Sequence, residues 1–282
     1  MREERDHPAD AAVFELFALR YAEHSGRHQG ENFVDPADPH EAGSNLDYFI
    51  WLARRGAETL VIDTGFGPDA ARRRGRRLFR TAREALALVG VDSHQVETVI
   101  LTHLHYDHAG SLTDFPRAQF HLQEAEAAHA TGPCMCDPAA RGVFDVENIV
   151  EYIRSLYAGR ITFHQGDHDL GNGIRLHEIP GHSAGLQAVS VPTARGRVLL
   201  ASDATHLYAN LARHAPFPIL WDEARLRQGF ARLEALAPSA DHIIPGHDPL
   251  VMQAYPAVSE PLSGIAVRLD TAPLLSFAEL SR

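Results

Sequence analysis

The sequence predicts an α+β fold in which two β-sheets pack face to face and helices cover the outside. Three observations predict it. Short apolar runs of strand length recur along the chain. Segments with helical spacing interrupt them, so strands and helices arrive in alternating blocks. The residues able to chelate a metal, spread from position 103 to 247, directly follow apolar runs, which puts them at strand ends.

Residues 1 to about 11 are polar and are expected to fray. Residues 13–19 mix helix and strand signals. Residues 22–45 have no clean period and carry Gly, Pro, Asp and three His. A loop this long inside a compact domain is usually functional or disordered. It is expected to border the active site, with Phe33 as a pocket wall, while His24, His28 and His40 read as surface histidines. Residues 46–52 and 58–62 read as a hairpin around residues 54–57. Asp63 then falls where strand becomes loop.

Arg72, Arg73, Arg74, Arg76 and Arg77 form the strongest basic run. In an acidic chain a solvated helix face is the expected use, with one arginine available to meet an anionic substrate group. A helix over 82–89 ends at Gly90. Residues 96–101 read as a buried strand and 118–122 as another, with a helix starting at 124. Residues 131–142 are a loop of Gly, Pro and Cys. Over 146–156 helical spacing puts Ile149, Val150, Ile153 and Leu156 on one face. Strands follow over 160–164, 173–179, 186–191 and 197–201. Residues 166–169 look like a turn, which leaves His168 exposed. An amphipathic helix over 222–236 precedes Pro238, and a final strand over 241–244 delivers His247. Too little chain follows His247 for an appended domain, so residues 1–282 are read as a single domain.

Composition narrows the function. A net charge of -11 argues against a nucleic-acid surface, because phosphate neutralisation needs clustered Lys and Arg. Hydrophobic residues at 45% with 22% charged are an ordinary globular balance, so a packed core is expected. Cys134 and Cys136 are separated by one residue, a spacing poor for an intrachain disulfide. They read as loop residues, not half of a metal site. The N-terminus lacks the apolar core of a signal peptide, and no run approaches the length of a membrane span. The expectation is a cytoplasmic protein acting on a small molecule, with neither nucleic acid nor membrane as partner. Oligomeric state is not legible.

The chemistry concentrates in residues 102–110. His103 and His105 lie two apart just beyond a strand, so both imidazoles point the same way if the extended conformation persists. Both then reach one ion. Asp107 and His108 are adjacent and project elsewhere once the chain turns, which suits a second ion. Three later turns each offer one more ligand: His182 in Pro180-Gly181-His182, Asp203 after Ser202, and His247 in Pro245-Gly246-His247. Singly, each is an ordinary loop residue. Together they make five His and two Asp, enough for two ions. All are nitrogen or oxygen donors, a set that suits zinc and also fits iron, cobalt or manganese.

These residues resemble the signature of the metallo-β-lactamase superfamily, which is HxHxDH followed by a His, an Asp and a His. Asp63-Thr64-Gly65 is similar to the family's earlier Asp-Thr-Gly turn. Residues 46–51, the Ser202-Asp203-Ala204 turn and the distances between motifs are most like the N-acyl homoserine lactonase group. The resemblance runs from about residue 13 to 255. It implies a four-layer αββα sandwich, makes residues 13–19 a strand, and gives Asp63 the role of bracing the metal loop. It implies His103, His105 and His182 on one zinc, Asp107, His108 and His247 on the other, and Asp203 between them. The implied activity is ring opening of a lactone by a hydroxide shared between two zinc ions. Asp107 would pass a proton to the leaving alkoxide. Di-iron electron-transfer relatives typically carry Glu where this chain has His105, which favours zinc.

One departure bears on the substrate. Lactonases of this group often carry a Tyr three residues after the bridging Asp. Here that position is His206, with Tyr208 two further on. Either could take the role, and His206 can donate the same hydrogen bond. Two other expectations stand beside the lactonase. A glyoxalase-II-like thioesterase usually has a longer C-terminal part than this chain supplies. A non-catalytic binding protein on the same scaffold would have no need of all seven ligands.

Overall fold

The computed structural model describes residues 13–281, and the expectation for residues 1 to about 11 lies outside them. The first sheet holds β1 (Glu15–His24), β2 (Leu46–Arg55), β3 (Glu58–Ile62), β4 (Arg77–Leu78), β5 (Thr98–Ile100), β6 (Gln119–Gln123) and β7 (Ile161–His164). The second holds β8 (His168–Asp169), β9 (Arg175–Glu178), β10 (Gln187–Thr193), β11 (Gly196–Ser202) and β12 (Ile243–Pro245). A late strand, β13 (Ala266–Arg268), returns to the first sheet. Its order is β13-β1-β2-β3-β5-β6-β7, with β4 beside β1. The second sheet runs β12-β11-β10-β9-β8.

Strand alternation sorts the side chains into layers, because neighbouring residues face opposite sides of a sheet. Tyr48, Ile50 and Leu52 of β2 join Phe17, Leu19 and Tyr21 of β1 in a core shared with Ala85, Leu86 and Tyr152. Those three belong to α3 (Ala82–Leu88) and α6 (Val146–Tyr157); α1 (Gln29–Asn32) and α2 (Pro68–Arg74) precede α3 in the chain, and α4 (Glu124–Thr131) and α5 (Pro138–Arg141) lie between α3 and α6. The alternate residues Phe49, Trp51, Leu16 and Ala18 face the other way and meet Leu176, Val189, Val198 and Leu200 between the sheets. On the far side, Leu199 and Ala201 pack against Leu211 of α7 (Tyr208–Arg213) and Phe230 and Leu233 of α8 (Glu223–Leu236). Helix, sheet, sheet, helix is the expected four-layer order. Burial of these faces is the main source of stability, at about 25 cal/mol per Å² of apolar surface.

Several elements differ from the sequence reading. The hairpin strands run through Arg55, so its turn is only Gly56 and Ala57, with Gly56 at φ +58°. Residues 166–169 are not simply a turn, since His168 and Asp169 pair with β9. His168 is nevertheless exposed, its ring 4.2 Å from that of His164. Residues 131–142 contain a 3-10 turn over Pro133–Cys136 and α5 instead of a plain loop. Among the described residues no helix is long and apolar enough to cross a membrane.

Candidate metal centre

Register brings the ligands together. β3 and β5 are parallel neighbours, with Ile62 opposite Ile100, so Asp63 and the loop after Leu101 emerge side by side. In the second sheet β11 and β12 are also parallel, with Ser202 opposite Pro245, so Asp203 leaves beside His247. Gly246 permits that approach. A Cβ there would lie 2.8 Å from Asp203 Oδ1 and from the Ser202 carbonyl.

All seven expected ligands face one another. The two Asp203 oxygens divide them. Oδ2 lies 3.2 Å from His182 Nε2, 3.9 Å from His103 Nε2 and 3.1 Å from His206 Nε2. Oδ1 lies 3.0 Å from His247 Nε2 and 3.3 Å from His108 Nε2. His105 Nδ1 is 2.9 Å from His182 Nε2. Asp107 Oδ2 is 3.8 Å from the Nε2 atoms of both His108 and His247. The ligand atoms of His103, His105 and His182 converge as one group, and those of Asp107, His108 and His247 as another. His182, Asp203 and His206 form a further group, which brings His206, expected only to contact substrate, within reach of the metal-ligating atoms.

The donor set fits divalent ions. His103 Nε2, His108 Nε2 and Asp203 Oδ1 are buried without a hydrogen-bond partner. Such groups are costly to bury unless something else satisfies them. Outer partners aim the rings. His182 Nδ1 meets the Ile219 carbonyl at 2.8 Å, and His247 Nδ1 meets the Asp47 carbonyl at 3.0 Å. With the proton on Nδ1, the Nε2 lone pair is left facing inward. Asp63 does the same for His108 at 2.7 Å, and also accepts from the Thr102 N–H at 2.8 Å and hydroxyl at 2.9 Å. Sequence reasoning missed Glu126. It is fully buried and accepts from the N–H groups of Leu104 and Gly185, both at 3.0 Å, tying the first metal loop to the His182 loop.

Charge follows the same division. Burial, reinforced by neighbouring histidines, holds His103 and His105 well below the usual imidazole pKa. Burial takes His182 down to about 3. These three stay neutral, the form that ligates a metal. Burial also acts to lower His108, but Asp203, Asp63 and Asp107 outweigh it and hold it well above the ordinary value. Burial would raise Asp203, yet His247, His206, His108 and His182 bring it well below the carboxylate range.

Five of the expected ligands, His105, Asp107, His182, Asp203 and His247, line a chamber of about 80 Å³, walled by Arg27, Leu46, Tyr48, Arg74, Arg76, Tyr106, His206 and Phe217. It adjoins a cleft of about 530 Å³ lined by His129, Cys134, Leu220 and Trp221, and the two share His105, Val143, His182 and Ile219. His206 is buried, its ring stacked on Phe217 at 3.7 Å. Tyr208, the alternative, is buried in the core between the sheets. Phe33 does not line the chamber. It lies beneath Arg213, with 5.2 Å from guanidinium to ring, and Phe217 takes the wall position. The basic run also departs from a solvated helix face. Arg72 and Arg73 are exposed, but Gly75, at φ +63°, ends α2 and turns the chain so that Arg76 enters the chamber wall beside Arg74.

The sequence model of the metallo-beta-lactamase superfamily matches residues 44–247. The chain is similar to a probable metallo-hydrolase of Mycobacterium tuberculosis, at 26% identity over 236 residues, covering 69% of this chain and 72% of that protein. It is 24% identical over 221 residues to an N-acyl homoserine lactonase of Bacillus cereus, covering 72% of this chain and 82% of the relative. Among solved structures, a quorum-quenching N-acyl homoserine lactone lactonase aligns with a TM-score of 0.70 at 23% identity, covering 84% of this chain and 93% of that one.

Proposed function

The chain belongs to the metallo-β-lactamase superfamily, and from that premise we propose that it is a dinuclear zinc hydrolase that opens a lactone ring. The observation that carries the reading is the division of ligands around Asp203, one oxygen toward His103 and His182 and the other toward His108 and His247. Similarity to N-acyl homoserine lactonases supports a lactone as the substrate class. His103, His105 and His182 would hold one ion, Asp107, His108 and His247 the other, with Asp203 between. When bound, the ions would acidify water near neutral pH and polarise the ester carbonyl.

The chain's own groups do the rest. Histidines held neutral by burial keep their lone pairs inward. His206 Nε2, 3.1 Å from Asp203 Oδ2, carries the ring proton and is the nitrogen that can donate to the substrate carbonyl oxygen once metal binding engages that carboxylate. Phe217 stacks flat on the His206 ring and fixes its plane. Asp107 is the slightly exposed member of the set, at 11% for its side chain, and is placed to move a proton to the leaving alkoxide. The adjoining cleft, with Ile219, Leu220 and Trp221, accommodates the apolar part of the substrate.

The test joins metal analysis to a substrate panel. Reconstituted protein should hold two transition-metal ions per chain, mainly zinc, and a chelator should remove both metal and activity. Lactones should release acid at neutral pH faster than thioesters or phosphodiesters are cleaved. A single ion per chain defeats the dinuclear reading. Efficient thioester cleavage with inert lactones would make the enzyme a thioesterase.

A further inference from the structure

The chamber carries a concentration of cationic side chains that metal binding and ester cleavage leave unexplained. Arg27 is 8% exposed, and its Nε has no hydrogen-bond partner. Its other nitrogens meet His24 Nδ1 at 2.9 Å and the Glu31 carbonyl. Its nearest carboxylate, that of Glu31, is 3.9 Å away and half exposed. Arg76 donates through Nε to the Tyr106 hydroxyl at 3.2 Å and through Nη1 to the Arg74 carbonyl at 2.6 Å. Among the described residues no carboxylate lies within salt-bridge distance of it. Arg74 differs, since Asp145 answers its charge at 3.4 Å.

Two guanidinium groups thus share one wall of a small chamber, Arg27 with Glu31 at 3.9 Å and Arg76 with no carboxylate in contact, only the through-space pull of Asp107. Burying such charges is unfavourable unless an anion completes the site. The wall is joined to the metal ligands. Tyr106 Oη lies 3.2 Å from Tyr48 Oη, and the Tyr48 ring stands edge-on to His247 at 5.1 Å. His24 reports the same positive field, because burial, then Arg76 and Arg27, hold its pKa down at about 4. Asp107 and Asp203 are the negative groups of the chamber, and the surrounding histidines already face them.

We propose that Arg27 and Arg76 bind a carboxylate of the substrate, so that the enzyme acts on a lactone or ester carrying a negative charge apart from its scissile bond. The planar guanidinium fork matches a carboxylate, and the chamber of about 80 Å³ suits a small group more than a long acyl chain. The cleavage site is the one proposed above, and the inference rests on that reading for the bond cleaved.

The test separates the two. Calorimetry on the metal-loaded protein compares pyroglutamate with pyroglutamide, lactam isosteres that differ only in the charge of one group. The carboxylate should bind about ten-fold or more tightly than the amide, as a charge-assisted pair warrants. Arg76→Met and Arg27→Met should each remove most of that preference. Arg77→Met should keep it, since Arg77 is exposed and paired with Glu23 at 3.1 Å. Should Arg76→Met not fold, Arg76→Gln replaces it. Equal or undetectable binding of the two lactams overturns the inference, as does a preference that survives loss of both arginines, which would put the carboxylate on the metals. Turnover of γ-butyrolactone-γ-carboxylate and its carboxamide then tests the lactone reading by itself. Inert lactones together with a carboxylate preference in binding would defeat the reaction and leave the anion site standing.

Discussion

Replacing Asp63 with Asn should weaken metal binding through a residue that touches no metal. Asp63 sits at φ +63°, a left-handed conformation that Asn tolerates, so the substitution leaves the backbone unstrained. It changes only what the side chain accepts. Oδ2 takes hydrogens from both the Thr102 hydroxyl and His108 Nδ1, at 2.9 and 2.7 Å, while Oδ1 takes the Thr102 N–H. An amide keeps one oxygen. If that oxygen keeps the Thr102 N–H, an NH2 group faces His108 Nδ1, which must then accept. The one ring proton that remains when an ion binds is then held on Nε2, the nitrogen that would ligate the ion. Loss of such an outer partner typically costs about 10–100-fold in metal affinity. That is about 1.4–2.7 kcal/mol. Competition with a chromophoric chelator measures it, and elemental analysis after dialysis checks which ion is lost. The site holding Asp107, His108 and His247 should empty first. Metal binding by Asp63→Asn as tight as in the wild type would refute the tautomer argument.

The remaining predictions concern catalysis, packing and pH. Asp107→Asn should lower kcat far more than it changes KM, whereas His206→Ala should lower kcat by up to about 10²–10³, as for one well-placed oxyanion donor. His168→Ala, at an exposed sheet edge, should leave kinetics and metal content unchanged; inactivity of that variant with its metal retained would overturn the map of the pocket. In Gly185→Ala the new Cβ would lie 2.2 Å from Glu126 N and 2.8 Å from its Cα. Backbone must move, so denaturation should show a loss of about 1–3 kcal/mol, with looser metal binding as the Glu126 bridge opens. Divalent-ion affinity of chelator-stripped protein should fall as pH falls. His108 is held above the ordinary His value, so without an ion it carries a second proton, on Nε2, which an ion must displace. Affinity unchanged across about pH 6–8 would contradict this.

How much of this was legible in the sequence depends on whether the determining contact is local. His103 and His105 were readable because two-residue spacing after a strand fixes their direction. His182, Asp203 and His247 were readable as ligand types in turns after apolar runs, although the approach of Asp203 to His247 needs the register of β11 with β12. The hairpin of β2 and β3 was visible in its alternation, whereas β13 spans only Ala266–Arg268 and has too little pattern to show. Glu126 was hidden because a Glu in the first turn of a helix ordinarily faces water. Here α4 packs so closely on the metal loops that its carboxylate is fully buried between Leu104 and Gly185. Phe33 was a plausible wall by position in its loop, but Phe217, nearly two hundred residues later, holds that place. The arginines make the case most sharply. Five basic residues within six positions read as one helix face, yet the glycine among them reverses that meaning. Gly75 caps α2 in a left-handed conformation, so Arg72 and Arg73 stay on the helix in solvent while Arg76 leaves it and turns toward Tyr106. Arg27 reaches the same wall from a loop nearly fifty residues earlier. A charge run therefore has to be divided at its helix cap before any of it is assigned to solvent or to substrate.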